Sequence, residues 1–155
     1  MRIAEALALR ADAQRKFEQL RSRAQGSARF QEGEEPAEDA NALVVEAEQV
    51  LTELEELITR INRTNAATSF EDGTLTDALA RRDVLQLRHA LYNSTADAAS
   101  GKTGGGVHRQ LRSELRQLTA VPVAELRRRA DAVAREHREL DTRIQQRNWE
   151  VELLD

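Results

Sequence analysis

In one stretch of the chain apolar residues recur at alternating intervals of four and three: Leu43, Ala47, Val50, Leu54, Leu57 and Ile61. A 3.5-residue period puts these side chains on one stripe of an α-helix, and that stripe needs a second helix to cover it. A strand, whose side chains alternate every second residue, cannot present such a row. The pattern predicts a helix over about 40–66 with Asp39 as its N-cap. Val44, Leu51 and Ile58 form a second row seven apart, and its next member is Asn65.

The centre of this helix occurs twice. Glu56, Leu57, Thr59, Arg60, Ile61 and Asn65 are matched, at one constant offset, by Glu139, Leu140, Thr142, Arg143, Ile144 and Asn148. The echo runs backwards through Glu53/Glu136, Val50/Val133 and Ala47/Ala130. A second echo links Ala6-Leu7-Ala8, Arg10 and Gln14 to Ala78-Leu79-Ala80, Arg82 and Gln86, at a shorter offset. The second copy therefore has the longer connection, and the Gly-rich run Ser100–Gly106 lies in it. The reading is an αα-hairpin used twice.

The other elements follow from the same periodicity. A first helix over 2–25 carries Ile3, Ala6, Leu9, Ala13, Phe17, Leu20 and Ala24 on one face and ends at Gly26-Ser27. A third helix, capped by Thr74 or Thr76 and ending near 98, has Leu79, Val84, Leu87, Leu91, Thr95 and Ala98 as its expected packed face. It follows a connection, 68–74, whose turn is Asp72-Gly73. Pro122 precedes a fourth helix over 123–152, with a seam of Leu126, Ala130, Val133, His137, Leu140, Ile144, Arg147, Val151 and Leu154. Ala28–Gln31 and Ser113–Val121 lie in the two inner connections, and the two segments can pair as a minor ribbon; the second reads equally as a short helix. The expected fold is all-α: one domain, 1–155, an antiparallel four-helix bundle made of two related hairpins (1–68 and 74–155).

Composition narrows the function classes. Charged residues are 32% and aromatics 3%, which suits helices packed with Leu, Ile, Val and Ala. A net charge of −4 gives nucleic-acid binding no overall electrostatic support. Absence of cysteine excludes disulfides, thiol chemistry and Cys-ligated zinc. Glu5, Arg10 and Asp12 interrupt any signal-type apolar segment, and no apolar run approaches the ~20 residues of a membrane helix. The expectation is a cytoplasmic protein whose partner is itself, with no nucleic acid, no membrane and no cofactor.

Few residues are suited to chemistry. Asn65 and Asn148 hold equivalent places in the repeat and read as buried amides that fix register, or as a pair facing a ligand. Glu56/Arg60 and Glu139/Arg143 read as local i, i+4 ion pairs, with an inward anion site as the alternative. His89 and His137 lack the Glu-x-x-His spacing of di-iron bundles, because Gln86 and Ala134 stand three residues before them. Ser100-Gly101-Lys102-Thr103 resembles the end of a phosphate-binding loop, but Ala96 stands where the first glycine belongs. Arg127-Arg128-Arg129 is interleaved with acids and reads as a solvated, ion-paired face.

Ile61–Asn65, Leu75–Leu79, Leu140–Gln145, Asn148-Trp149 and the loop Gln31–Asp39 together resemble the septicolysin family of small bacterial helical proteins. That resemblance spans essentially the whole chain and implies an all-helical fold, and the family's label implies a haemolysin or pore-former. It carries over no catalytic residue, and the absence of an export signal and of a membrane-length run speaks against the label.

Three functions follow as expectations. The first is a non-enzymatic interaction or structural protein acting as a homo-oligomer, because the heptad-like helices carry more apolar seam than one hairpin covers. The second is a small-ligand binder or enzyme with a polar pocket near the ends of the second and fourth helices, using Asn62, Arg63, Asn65, Asp83, His89, Arg143 and Asn148. The third is the membrane activity implied by the family resemblance.

Overall fold

A computed structural model describes residues 1–102 and 115–155. Among them the fold is all-α, with α1 (Ile3–Gly26), α2 (Ala40–Ala67), α3 (Leu75–Ala99) and α4 (Val123–Glu150), plus two short strands, β1 (Ser69–Phe70) and β2 (Gly73–Thr74). The four helices expected from periodicity are therefore present, each within two residues of its expected ends. The chain forms two compact units, Met1–Thr76 with Gln145–Asp155, and Asp77–Ile144.

In the first unit α1 and α2 pair antiparallel. Leu20 near the end of α1 packs with Leu43, Ala47 and Val50 near the start of α2, flanked by Ala13, Phe17 and Ala24. Ala6 near the start of α1 packs with Ile61 near the end of α2, together with Leu153. The α2 row behaves as its period requires: Leu43, Ala47, Val50 and Ile61 are buried, and Leu54 and Leu57 half-buried. Asp39 caps α2 as expected, its carboxylate accepting from the backbone amides of Asn41 (2.9 Å) and Ala42 (3.1 Å). Lys16–Glu46 ties the two helices across their exposed edges, and Arg23–Glu38 ties α1 to the residue before the α2 cap.

The ends of this unit are laced by backbone. The Ile3 amide donates to the Val151 carbonyl at 3.0 Å and the Leu153 amide to the Met1 carbonyl at 2.8 Å, an antiparallel bridge centred on Arg2 and Glu152. The Arg2 guanidinium adds a bond to the Glu150 carbonyl at 2.6 Å.

The minor ribbon lies elsewhere than the inner connections. β1 and β2 pair antiparallel in the α2–α3 connection, Ser69 opposite Thr74 and Phe70 opposite Gly73. Only Glu71 and Asp72 turn between them, and Glu71 takes φ +49°. Two-residue hairpins commonly use a positive φ in the turn, and a ribbon closed so locally needs little loop-closure entropy. Residues 28–31 are not a strand, and neither are residues 115–121; 113–114 lie outside the described residues.

In the second unit α3 runs antiparallel to the first part of α4. Arg81 bonds Glu136 at 2.6 Å, while Asn93, further along α3, accepts from Arg127, further back on α4, at 3.1 Å. The face that α3 buries differs from the expected one. Leu75, Ala78, Arg82, Leu85, His89, Tyr92, Ala96 and Ala99 alternate three and four apart, and none is exposed. Val84, Leu87 and Leu91 of the expected face are 45%, 70% and 59% exposed. The helix carries two rows of the same period on opposite sides, and Arg82 and His89 disguise the packed one. On α4 the expected seam from Leu126 to Val151 is buried or half-buried, while Leu154 is 47% exposed.

α3 stops at Gly101, which has φ +74°. The Lys102 amide donates to the Asp97 carbonyl at 3.0 Å and the Gly101 amide to the Ala98 carbonyl at 3.1 Å. This paired closure is a Schellman motif, so Ser100-Gly101-Lys102 serves as a helix stop. Thr103–Gly106 and His108 lie outside the described residues.

Truncating Leu20 to Ala should cost ~2–5 kcal/mol, because it empties the α1–α2 cluster. Leu9→Ala, at a site that is 47% exposed, should cost about 0.5 kcal/mol or less. Urea melts of both variants check this contrast.

Candidate functional site

The polar end of α2 is built on side chains one turn apart. Thr64 Oγ1 donates to the Arg60 carbonyl at 2.7 Å, and Thr68 Oγ1 donates to the Thr64 carbonyl at 2.7 Å. Thr64 Oγ1 also accepts from the Leu154 amide at 3.0 Å. Arg60 does not pair with Glu56 among the described residues; its guanidinium holds the Leu154 carbonyl (2.9 Å) and the Asp155 carboxylate (3.1 Å). The C-terminal segment is thus pinned to α2 by one hydroxyl and one guanidinium.

Asn65 sits beside this lattice and is buried at 8% exposure; Asn148, in the same unit, is buried at 4%. Burial of both amides is what the sequence led us to expect. Asn65 Oδ1, however, has no hydrogen-bond donor among the described residues. The nearby hydroxyl protons of Thr64 and Thr68 are committed to main-chain carbonyls. A buried acceptor left unpaired costs about 1–3 kcal/mol, so Asn65 Oδ1 is a place where a donor would be favourable. Asn62 and Arg63, on the same helix, are exposed.

The other candidate residues lie in the second unit. Asp83 is exposed and pairs with its neighbour Arg82 at 2.9 Å. Arg143 is exposed and has a partner of its own. His89 is half-buried, and its Nε2 lies 2.9 Å from Asn93 Nδ2. An amide nitrogen can only donate, so this contact puts the His89 proton on Nδ1. Asn93 Oδ1 in turn accepts from Arg127, which also bonds Asp97. The result is a relay of polar contacts, Asp97–Arg127–Asn93–His89, along the α3–α4 seam. His89 and His137 border one cavity of about 250 Å³ with Gln86, Ala134 and Arg138. Among the described residues no group of three His, Cys, Asp or Glu is placed to hold a metal. The basic run of α4 is ion-paired as expected, Arg127 with Asp97 and both Arg128 and Arg129 with Glu125.

The feature that sequence reading assigned to the core is the outward row of α3. Ala80, Val84, Leu87, Leu91 and Ala98 are all exposed and spaced three, four or seven apart. The signal that separates it from the packed row is the longer, uninterrupted series from Leu75 to Ala99, legible once Arg82 and His89 are allowed a place in a seam. No described helix is long and apolar enough to cross a membrane.

Two outcomes follow. Asn65→Leu should be neutral or stabilising by up to about 1 kcal/mol, because it removes an unpaired acceptor while keeping bulk, whereas Asn65→Ala removes the same acceptor but empties the site and should be about 2–5 kcal/mol less stable than Asn65→Leu; urea melts compare them. Asp97 is held below the usual aspartate range by the hydrogen bond from Arg127. Its contribution to stability is present above the ordinary aspartate value and is lost as pH falls through the lowered value. Arg127→Gln should return Asp97 upward toward the ordinary value, measured by NMR titration of the carboxyl carbon.

A family of unknown function, DUF6847, matches residues 10–153. The chain is similar in structure to a functionally unknown conserved protein from Corynebacterium diphtheriae, known from a crystal structure, at 39% identity and a TM-score of 0.89 over 99% of each chain. No curated protein matches. With nearly its whole length matched, the chain belongs to the DUF6847 family.

Proposed function

We propose that this is a cytoplasmic, non-enzymatic interaction protein that works as a homo-oligomer, associating through the outward face of α3. The observation that carries this reading is the solvent exposure of Val84, Leu87 and Leu91 in a row of heptad spacing. Large side chains scattered singly over a surface need no explanation, but a contiguous apolar stripe marks an interaction site. A stripe with a 3.5-residue period fits another helix, knobs into holes. Its apolar core is short, from Val84 to Leu91, so association is weak and depends on protein concentration.

A second reading is favoured by one other observation, the donorless Asn65 Oδ1. It is a small-ligand site at the end of α2 in which a ligand supplies the missing donor.

The primary reading is tested by sedimentation equilibrium from ~10 μM to ~1 mM. The wild type should show a rising weight-average mass. Leu87→Glu, which places a charge in the middle of the row, should weaken association by at least ~10-fold while leaving the far-UV spectrum unchanged. A wild type that stays monomeric over this range rules the reading out.

A further inference from the structure

From the charges that border the outward row of α3 we infer that two copies of this chain pair along α3 in parallel, around a twofold axis. The inference rests on the proposed self-association and specifies its geometry. Taking Val84, Leu91 and Ala98 as one seam position and Ala80, Leu87 and Ser94 as the other, the stripe is bordered on one side by Arg81, Arg88 and Thr95, and on the other by Asp83, Ala90 and Asp97. One border is therefore basic and the other acidic.

Relative direction decides which borders meet. In a parallel pair, a residue on one border faces the residue five places further along on the opposite border of the second copy. Asp83 then faces Arg88 of the second copy, and symmetry makes the contact twice. In an antiparallel pair like borders meet. With Leu87 set against Leu91, Arg88 faces Arg88 of the second copy and Asp83 faces Asp97, so the same charges repel. Within a parallel pair, Val84 at the first seam position followed by Leu87 at the second favours two strands over three or four.

Both charges are available. Asp83 is 64% exposed at its side chain, and its one described ion pair is with the adjacent Arg82. Arg88 is exposed and has no ion-pair partner among the described residues. Arg81 and Asp97, by contrast, are engaged with Glu136 and Arg127 of their own unit. The acidic and basic groups left over are the two that a parallel second copy would pair.

The test uses the whole chain and two charge reversals, Arg88→Asp and Asp83→Arg, in sedimentation equilibrium. Each reversal alone converts both cross-pairs into repulsions and should weaken association by ~10-fold or more. An equimolar mixture of the two reversals should associate as tightly as the wild type, because each mixed pair contains only opposite charges. A mixture no tighter than the separate variants overturns the parallel geometry, as does wild-type affinity in either variant. Ser94→Cys adds an independent readout, since the chain has no other thiol. In the parallel pair Ser94 meets its own copy, so mild oxidation should give a covalent dimer, and adding Leu87→Glu should suppress it by ~10-fold. No excess of covalent dimer over that control overturns the geometry. A wild type that never associates refutes the self-association itself, and is distinguished by its constant monomer mass.

Discussion

Burial of the Leu43–Ala47–Val50 row of α2 against Leu20 and its neighbours on α1 is the interaction on which the first unit depends. The second row of α2 is left largely to solvent, with Val44 and Leu51 exposed, and isolated helices are marginal in water, so α1 and α2 are stable because each covers the other. The capping carboxylate of Asp39, the cross-helix pair Lys16–Glu46 and the pair Arg23–Glu38 at the entry to α2 trim this arrangement. They are exposed and contribute modestly by comparison. The second unit uses the same packing rule with poorer material. Its α3 seam includes Arg82, His89 and Tyr92, and the polar relay from Asp97 to His89 takes the place that leucines fill in α2.

That difference explains what could be read from the sequence. The α2 and α4 seams were legible because apolar residues fill most of their positions in an uninterrupted 3.5 period. On α3 the periodicity points to the wrong face because its outward row is the more hydrophobic of the two. Burial there follows the partner helix rather than local composition, and Leu85 and Ala96 are covered while Leu87 and Leu91 are not. Ribbon formation was expected from two distant connections; the observed hairpin forms where only Glu71 and Asp72 need turn, a local geometry that the Asp72-Gly73 pair signalled but placed one residue late.

The candidate residues divide in the same way. Burial of Asn65 and Asn148 was legible because both continue rows that lead inward. The missing donor at Asn65 Oδ1 was not, since it depends on where the Thr64 and Thr68 hydroxyls point. Helical spacing points Arg60 at Glu56, and it cannot reveal Leu154 and Asp155 arriving from ninety-odd residues away to take the guanidinium instead. Ser100-Gly101-Lys102 carries the residues of a phosphate loop but not its context, since such a loop follows a strand and opens a helix, whereas here the amides of Gly101 and Lys102 close α3 by donating to Ala98 and Asp97.

The bridge between Met1–Ile3 and Val151–Leu153 has a consequence for how the chain folds as it is made. It joins segments about 150 residues apart, so its loop-closure cost is high and it forms only after Val151–Leu153 has been made. Until Leu153 has left the ribosome, it cannot cover Ala6 and Ile61. The α1–α2 hairpin, complete in sequence by Ala67, therefore waits through the synthesis of everything from Thr68 to Leu153 with one end of its core open to water.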